Sequence, residues 1–90
     1  MQFDCEFANC SFDEVHWFAD VPGETEIQVR ARVSNTGDSW SPWAGPFVVN
    51  PANLGGLPPA RLVEIEVQLR TSNRDISPIV ELIELHWSRP

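Results

Sequence analysis

Two runs of strict alternation constrain this chain more than anything else in it. Between Thr25 and Val33, the apolar residues Ile27, Val29, Ala31 and Val33 alternate with Gln28, Arg30 and Arg32. Between Arg61 and Thr71, Val63, Ile65, Val67 and Leu69 alternate with Glu64, Glu66, Gln68 and Arg70. A period of two marks a strand with one face buried and the other wet. The runs match in length and polarity, which predicts two long core strands. If they pair, the outward Arg30 and Arg32 meet the outward Glu64 and Glu66, each cross-strand ion pair contributing roughly 0.2–1 kcal/mol.

Four shorter patterns fill in the rest. Gln2 to Phe7 places Phe3, Cys5 and Phe7 at alternate positions. Phe12 to Ala19 sets Val15, Trp17 and Ala19 on one side and His16 and Phe18 on the other, with both faces partly covered. Gly45 to Asn50 holds the apolar run Pro46-Phe47-Val48-Val49. In the last pattern Ile83, Leu85 and Trp87 fall one residue out of step with Val80. A β-bulge absorbs that residue; a helical turn is the competing reading, and the Ile and Val content favours the strand.

Turn chemistry at Asp20–Glu24, around Pro22-Gly23, and at Thr71–Pro78 punctuates the chain. The Pro- and Gly-rich stretch from Pro51 to Pro59 reads as one long constrained loop. The short connection through Pro22-Gly23 makes Val15–Ala19 and Glu26–Val33 the expected antiparallel neighbours. No internal repeat or low-complexity tract stands out. The predicted architecture is all-β: a single domain over residues 1–90, a small antiparallel β-sandwich of about six strands.

Size supports this reading. A chain of 90 residues buries only about 60–65% of its unfolded surface, enough for one sheet packed on another. With 42% hydrophobic residues, among them four Trp and five Phe, it carries too much apolar surface to stay disordered. Its 13 acids against 6 bases, all of them arginine, give a formal charge of -7. That sign repels phosphate backbones and anionic headgroups, so neither nucleic acid nor a membrane is an expected partner. The start MQFDCEFANC lacks the basic flank and apolar run of a signal peptide, and no stretch reaches the roughly 18 apolar residues of a transmembrane helix. With Met1 as the natural start, this predicts a protein kept in the cytosol or exported inside a larger particle.

Three readings of Cys5 and Cys10 stay open. Five positions of extended chain hold their Cα atoms about 17 Å apart, whereas a disulfide needs roughly 4.4–6.8 Å. A bridge therefore requires the chain to reverse around Phe7 to Asn9. Buried free thiols are the second reading. A metal site with His16 is the third, and C-x4-C with one histidine is a weak zinc pattern.

Catalytic machinery is sparse. His16 and His86 are the only side chains with an ordinary pKa near neutrality, and each lies beside a tryptophan on a strand pattern. Nucleophile elbows, glycine-rich phosphate loops and zincin helices do not occur. Acid pairs such as Asp13-Glu14 could serve a glycosidase, but so small a sandwich leaves little room for a pocket. The expectation is a protein that is not an enzyme.

Taken together, the layout Trp17-Phe-Ala-Asp-Val-Pro-Gly-Glu-Thr-Glu-Ile-Gln-Val-Arg-Ala-Arg, then Ser39-Trp-Ser-Pro-Trp43, then Arg61-Leu-Val-Glu-Ile-Glu-Val-Gln-Leu-Arg-Thr-Ser, then Ser77-Pro with Val80, Ile83, Leu85 and Trp87 resembles a known family. It resembles the galactose-binding-like (discoidin-like) jelly-roll modules of bacterial extracellular proteins and of bacteriophage tail and virion proteins, over about Val15 to Trp87. The resemblance implies a non-catalytic β-sandwich that holds an assembly together or recognises a glycan. Full jelly rolls have about eight strands, so this chain reads as a truncated one. Longer members often carry a structural calcium ion, for which Asp4, Glu6, Asp13, Asp20, Asp38 and Asp75 offer oxygen ligands, without the spacing of a dedicated loop.

A second, local similarity concerns Arg30-Ala-Arg32 and Trp40-Ser-Pro-Trp43, which are similar to the interleaved arginines and tryptophans of the WSxWS motif in cytokine-receptor fibronectin type III domains. Ala44 replaces the final serine, and nearly half the chain follows the motif instead of ending there. What carries over is the physics of guanidinium planes over indole faces, roughly 0.5–2 kcal/mol per contact. Arg30, Arg32, Trp40 and Trp43 are thus candidates either for a structural brace or for a binding platform. Sheet edges left open by six strands need partners or blunting. The functional expectation is accordingly a structural subunit of a virion or phage tail, contacting other protein subunits or copies of itself. The alternative is a secreted carbohydrate-binding module that stacks a glycan on Trp40 and Trp43. Virion or extracellular space is the expected location.

Overall fold

The computed structural model describes residues 1–20, 23, 25–72 and 79–90. Among these residues seven strands run in chain order: β1 (Gln2–Asp4), β2 (Ser11–Asp20), β3 (Thr25–Ser34), β4 (Ala44–Phe47), β5 (Ala52–Asn53), β6 (Leu62–Thr71) and β7 (Ile79–Ser88). They form two antiparallel sheets, ordered β1-β6-β3-β4 and β5-β2-β7. The molecule is a small β-sandwich.

The two alternating runs pair with each other over their whole length, from Thr25 opposite Thr71 to Ser34 opposite Leu62. This register puts Arg30 opposite Glu66 and Arg32 opposite Glu64 on the outer face. Val29, Ala31, Val33, Val63 and Ile65 point inward and are buried. From the other sheet, Phe12, Val15 and Trp17 complete the core, with Ile83, Leu85 and Trp87 packed against it. The pairing is nested: β2 with β7 in one sheet encloses, in chain order, β3 with β6 in the other.

Several sequence expectations are corrected. Val15–Ala19 and Glu26–Val33 are not neighbours, because β2 pairs with β5 and β7 while β3 pairs with β4 and β6. Both strands have buried inner faces, and stacking them in opposite sheets covers two apolar faces at once, which side-by-side pairing does not. Beyond the six expected strands, the described residues include a seventh, Ala52–Asn53 inside the proline- and glycine-rich loop, which pairs with Val15 and Glu14. β4 starts at Ala44 and ends at Phe47, leaving Val48 and Val49 exposed. β1 ends at Asp4, before the disulfide turn. In β7 the expected extra residue is Glu81, since Phe18 pairs with Leu82 and Ala19 with Val80. Most of the turn expected at Asp20–Glu24 and residues 73–78 of the next one lie outside the described residues.

Gly45 is fixed by its surroundings. Its φ is +112°, and a Cβ there would come within 2.9 Å of the Val29 carbonyl oxygen and 3.0 Å of the Phe47 nitrogen. Only glycine allows β4 to approach β3 so closely. On the far side of β2, the Asn50 side chain acts as a ladder rung: its Oδ1 accepts from Trp17 N at 3.2 Å and its Nδ2 donates to Trp17 O at 2.6 Å.

A disulfide joins Cys5 to Cys10 across a reversal in which Glu6 and Asn9 take positive φ. Both sulfurs are thereby used, which removes the free-thiol reading and the metal site with His16. The bridge closes the crossover from β1 in one sheet to β2 in the other. For so short a loop, chain entropy assigns it roughly 2 kcal/mol. The paired variant Cys5→Ser/Cys10→Ser is expected to melt roughly 10 °C lower by calorimetry, and the intact mass of the parent chain should rise by two hydrogen atoms when the bridge is reduced.

Candidate functional site

The outer face of the four-stranded sheet carries the residues singled out by the sequence. Period-two geometry sends Arg30 and Arg32 outward from β3, and the loop after it brings the tryptophans back over them. Ser34, buried at the strand end, accepts from the backbone N–H groups of Thr36 and Gly37 at 3.2 and 2.8 Å. Gly37 supplies a positive φ of 83°. Ser41 then ties the returning chain to Val33 through both its backbone N–H and its hydroxyl oxygen. Trp40 Nε1 donates to Gly37 O at 3.1 Å, which fixes its indole.

The result is an interleaved stack. The Arg30 guanidinium lies 4.1 Å from the Trp43 ring centroid, and that of Arg32 lies 4.5 Å from Trp43 and 4.9 Å from Trp40. Arg30 also donates through Nε and Nη2 to both carboxylate oxygens of Glu66, at 3.0 and 2.9 Å. Arg32 Nη2 donates to Glu64 at 3.1 Å, and Gln2 Nε2 donates to the same carboxylate at 2.8 Å. Arg32 Nε is buried with no hydrogen-bond partner among the described residues, in a guanidinium over which two indoles lie. Each arginine of the stack is thus held both by an indole and by a carboxylate of β6.

The charges respond accordingly. The Gln2 amide, together with Arg32, holds the Glu64 carboxyl below its ordinary range against the opposing effect of burial, and Arg30 does the same for Glu66. Asp4 is lowered by its bidentate bond to Arg61 and by the Glu6 backbone N–H. A carboxylate whose pKa is depressed on folding contributes stability above its unfolded pKa and loses it as pH falls through the folded one. Melting temperature should therefore fall from about pH 5 downward. The double variant Glu64→Gln/Glu66→Gln should show a shallower fall than the parent.

The calcium expectation finds no cluster: Asp4 is held by Arg61, Asp75 is outside the described residues, and among the described residues no three His, Cys, Asp or Glu side chains gather to hold an ion.

A second cluster, on the outer face of the three-stranded sheet, was not anticipated. Glu14 stands opposite His86, His16 opposite Glu84, and Phe18 opposite Leu82. The two imidazoles stack diagonally with centroids 4.2 Å apart and planes 22° apart. His16 Nε2 also bonds Glu14 on its own strand at 3.1 Å, and His86 Nε2 bonds Glu84 on its own. Phe18 and Leu82 continue this face 50% and 53% exposed. The signal was present in the sequence: Glu14-Val15-His16-Trp17 and Glu84-Leu85-His86-Trp87 are two versions of one tetrapeptide. Each places Trp inward and Glu and His outward. Protein-family models, curated proteins and solved structures yield no match to this chain.

Proposed function

We propose that this protein is a non-catalytic β-sandwich module that holds a protein assembly together, with other subunits or further copies of itself as partners. The observation that carries this reading is the surface of the three-stranded sheet. Its side beyond β2 is blunted by the two-residue β5 and the Asn50 rung, whereas β7 is, among the described residues, a ten-residue edge strand. Beside that edge, the cross-strand pair Phe18 and Leu82 leaves apolar surface in water. Open backbone next to apolar side chains is the kind of surface that partner chains cover.

The Arg–Trp stack supports the same reading from the other sheet. A hexose stacking on Trp43 would compete with Arg30 and Arg32, both already over its ring. The glycan platform is therefore the weaker use of these residues. A structural disulfide fits an oxidising location, in keeping with the extracellular or virion setting that the discoidin-like resemblance implies. Size-exclusion chromatography with light scattering, run beside a glycan array, tests the proposal. Self-association or a stoichiometric protein complex is the expected result. A strict monomer that binds glycans, and loses them on Trp40→Ala, overturns it.

A further inference from the structure

We infer that the β7 edge pairs antiparallel with β7 of a second copy, joining two three-stranded sheets into one six-stranded sheet centred on Leu85. This rests on the assembly reading above and names its partner. The argument begins with the tetrapeptide that occurs twice. An outward Glu and an outward His two residues apart are self-complementary in antiparallel pairing, because reversing one copy sets each Glu opposite a His. The chain already uses this property once: β2 and β7 pair about Val15 and Leu85, with Glu14 opposite His86 and His16 opposite Glu84.

The far side of β7 presents the same Glu84-Leu85-His86 for a second pairing. A two-fold axis through Leu85 sets Glu84 opposite the His86 of the second copy, and the reverse, so that Glu and His alternate across β2, β7 and the second β7. On the inner face, the same register sets Leu85 against Leu85 and Ile83 against Trp87. All three are only partly buried in the single chain and pack against the core. Neighbouring registers that keep outward residues outward lose the match. An axis through Glu84 sets the two Glu84 carboxylates against each other, and one through His86 sets the two imidazoles together and leaves Glu84 against Ser88. An axis through Ile83 pairs Glu84 with Leu82. Between Leu82 and Ser88 no charged side chain points into the sandwich to block an incoming strand, the device by which many edges are protected. The Glu81 bulge lies at the far end of this segment.

Two measurements test the pairing on the whole chain. The predicted register sets outward Leu82 opposite Ser88 of the second copy, and opposite residues of antiparallel strands have Cα atoms about 4.5–5.5 Å apart, within the reach of a disulfide. Within one chain these positions are roughly 20 Å apart and cannot join. Leu82→Cys/Ser88→Cys should therefore oxidise to a covalent dimer, whereas each single variant should give none through residues 82 or 88. Second, Glu84→Gln, with its fold checked by circular dichroism, should weaken the light-scattering dimer about 2- to 30-fold, since two symmetric cross-strand Glu84–His86 pairs are lost. A dimer that fails to cross-link and is indifferent to Glu84→Gln overturns the β7 pairing and leaves the assembly reading standing. A strict monomer also overturns the pairing, and the assembly reading falls with it only if that monomer binds glycans through Trp40.

Discussion

Replacing Leu54 by alanine is expected to lower stability by about 3 kcal/mol and the melting temperature by roughly 12–24 °C, although the residue lies in no strand. Leu54 follows β5 in the loop that closes one end of the sandwich, and it is 1% exposed. Its backbone N–H donates to Asp13 O at 2.8 Å, and its carbonyl accepts from Leu57 N at 3.0 Å. The loop is thus pinned to β2 on one side and turned back on itself on the other, which drives the side chain into the core. A pinned backbone cannot collapse into the space that the lost methyl groups leave, so the cavity penalty adds to the lost transfer energy. Leu57→Ala provides the comparison. Leu57 is only partly buried beside the same core and should cost clearly less. If Leu54→Ala shifts the melting temperature no more than Leu57→Ala, the loop is not part of the core.

Leu54 also shows where the sequence stopped being legible. Strands β3 and β6 could be read because each has ten residues with one wet face, so the alternation repeats often enough to stand out, and their outward charges indicated that the arginines of one would meet the glutamates of the other; the register, Arg30 with Glu66 and Arg32 with Glu64, is set by the pairing itself. A lone leucine between Asn53 and two glycines has no period to read. Its burial is decided by the Asp13 backbone, some forty positions away. The neighbour of β2 was misjudged for a related reason. Short connections favour adjacent pairing, but burying both apolar faces favours opposite sheets, and local sequence carries no information about which strand returns to cover a face. At the Arg–Trp site, the similarity to the interleaved arginines and tryptophans of the WSxWS motif pointed to guanidinium groups over indoles and left brace and platform open; that Trp43 is the ring both arginines share is seen only in the structure. The polar turn from Ser34 to Ser41 that aims the indoles was not legible, since it depends on Ser34 and Ser41 hydroxyls closing on specific backbone groups. The Glu-x-His-Trp pair could have been found by asking which short segments complement themselves when reversed. Hydrophobic periodicity does not ask that question.

The second large effect belongs to Trp43. Its ring is the shared rung of the outer ladder, with guanidinium groups at 4.1 and 4.5 Å, whereas Trp40 takes only Arg32. Trp43→Ala removes two cation–π contacts, each about 0.5–1 kcal/mol at a partly exposed site, together with the packing of a half-buried indole. A loss of roughly 2–3 kcal/mol follows, with Trp40→Ala costing about half as much. The two variants also separate the brace from a binding platform. In a brace, the order of melting temperatures follows the number of guanidinium partners, and Arg30→Lys is harmful as well, because an ammonium cannot both fork onto Glu66 and lie flat on an indole. In a platform, Trp40→Ala and Trp43→Ala leave melting unchanged and abolish glycan retention, and Arg30→Lys changes little. Unfolding by urea, followed through the emission of the remaining tryptophans, measures all three variants on one scale. Equal midpoints for Trp43→Ala and the parent chain would remove the brace from the account of this fold, while a graded loss ties the outer Arg–Trp ladder to the stability of the β3–β6 pair that the sequence announces most plainly.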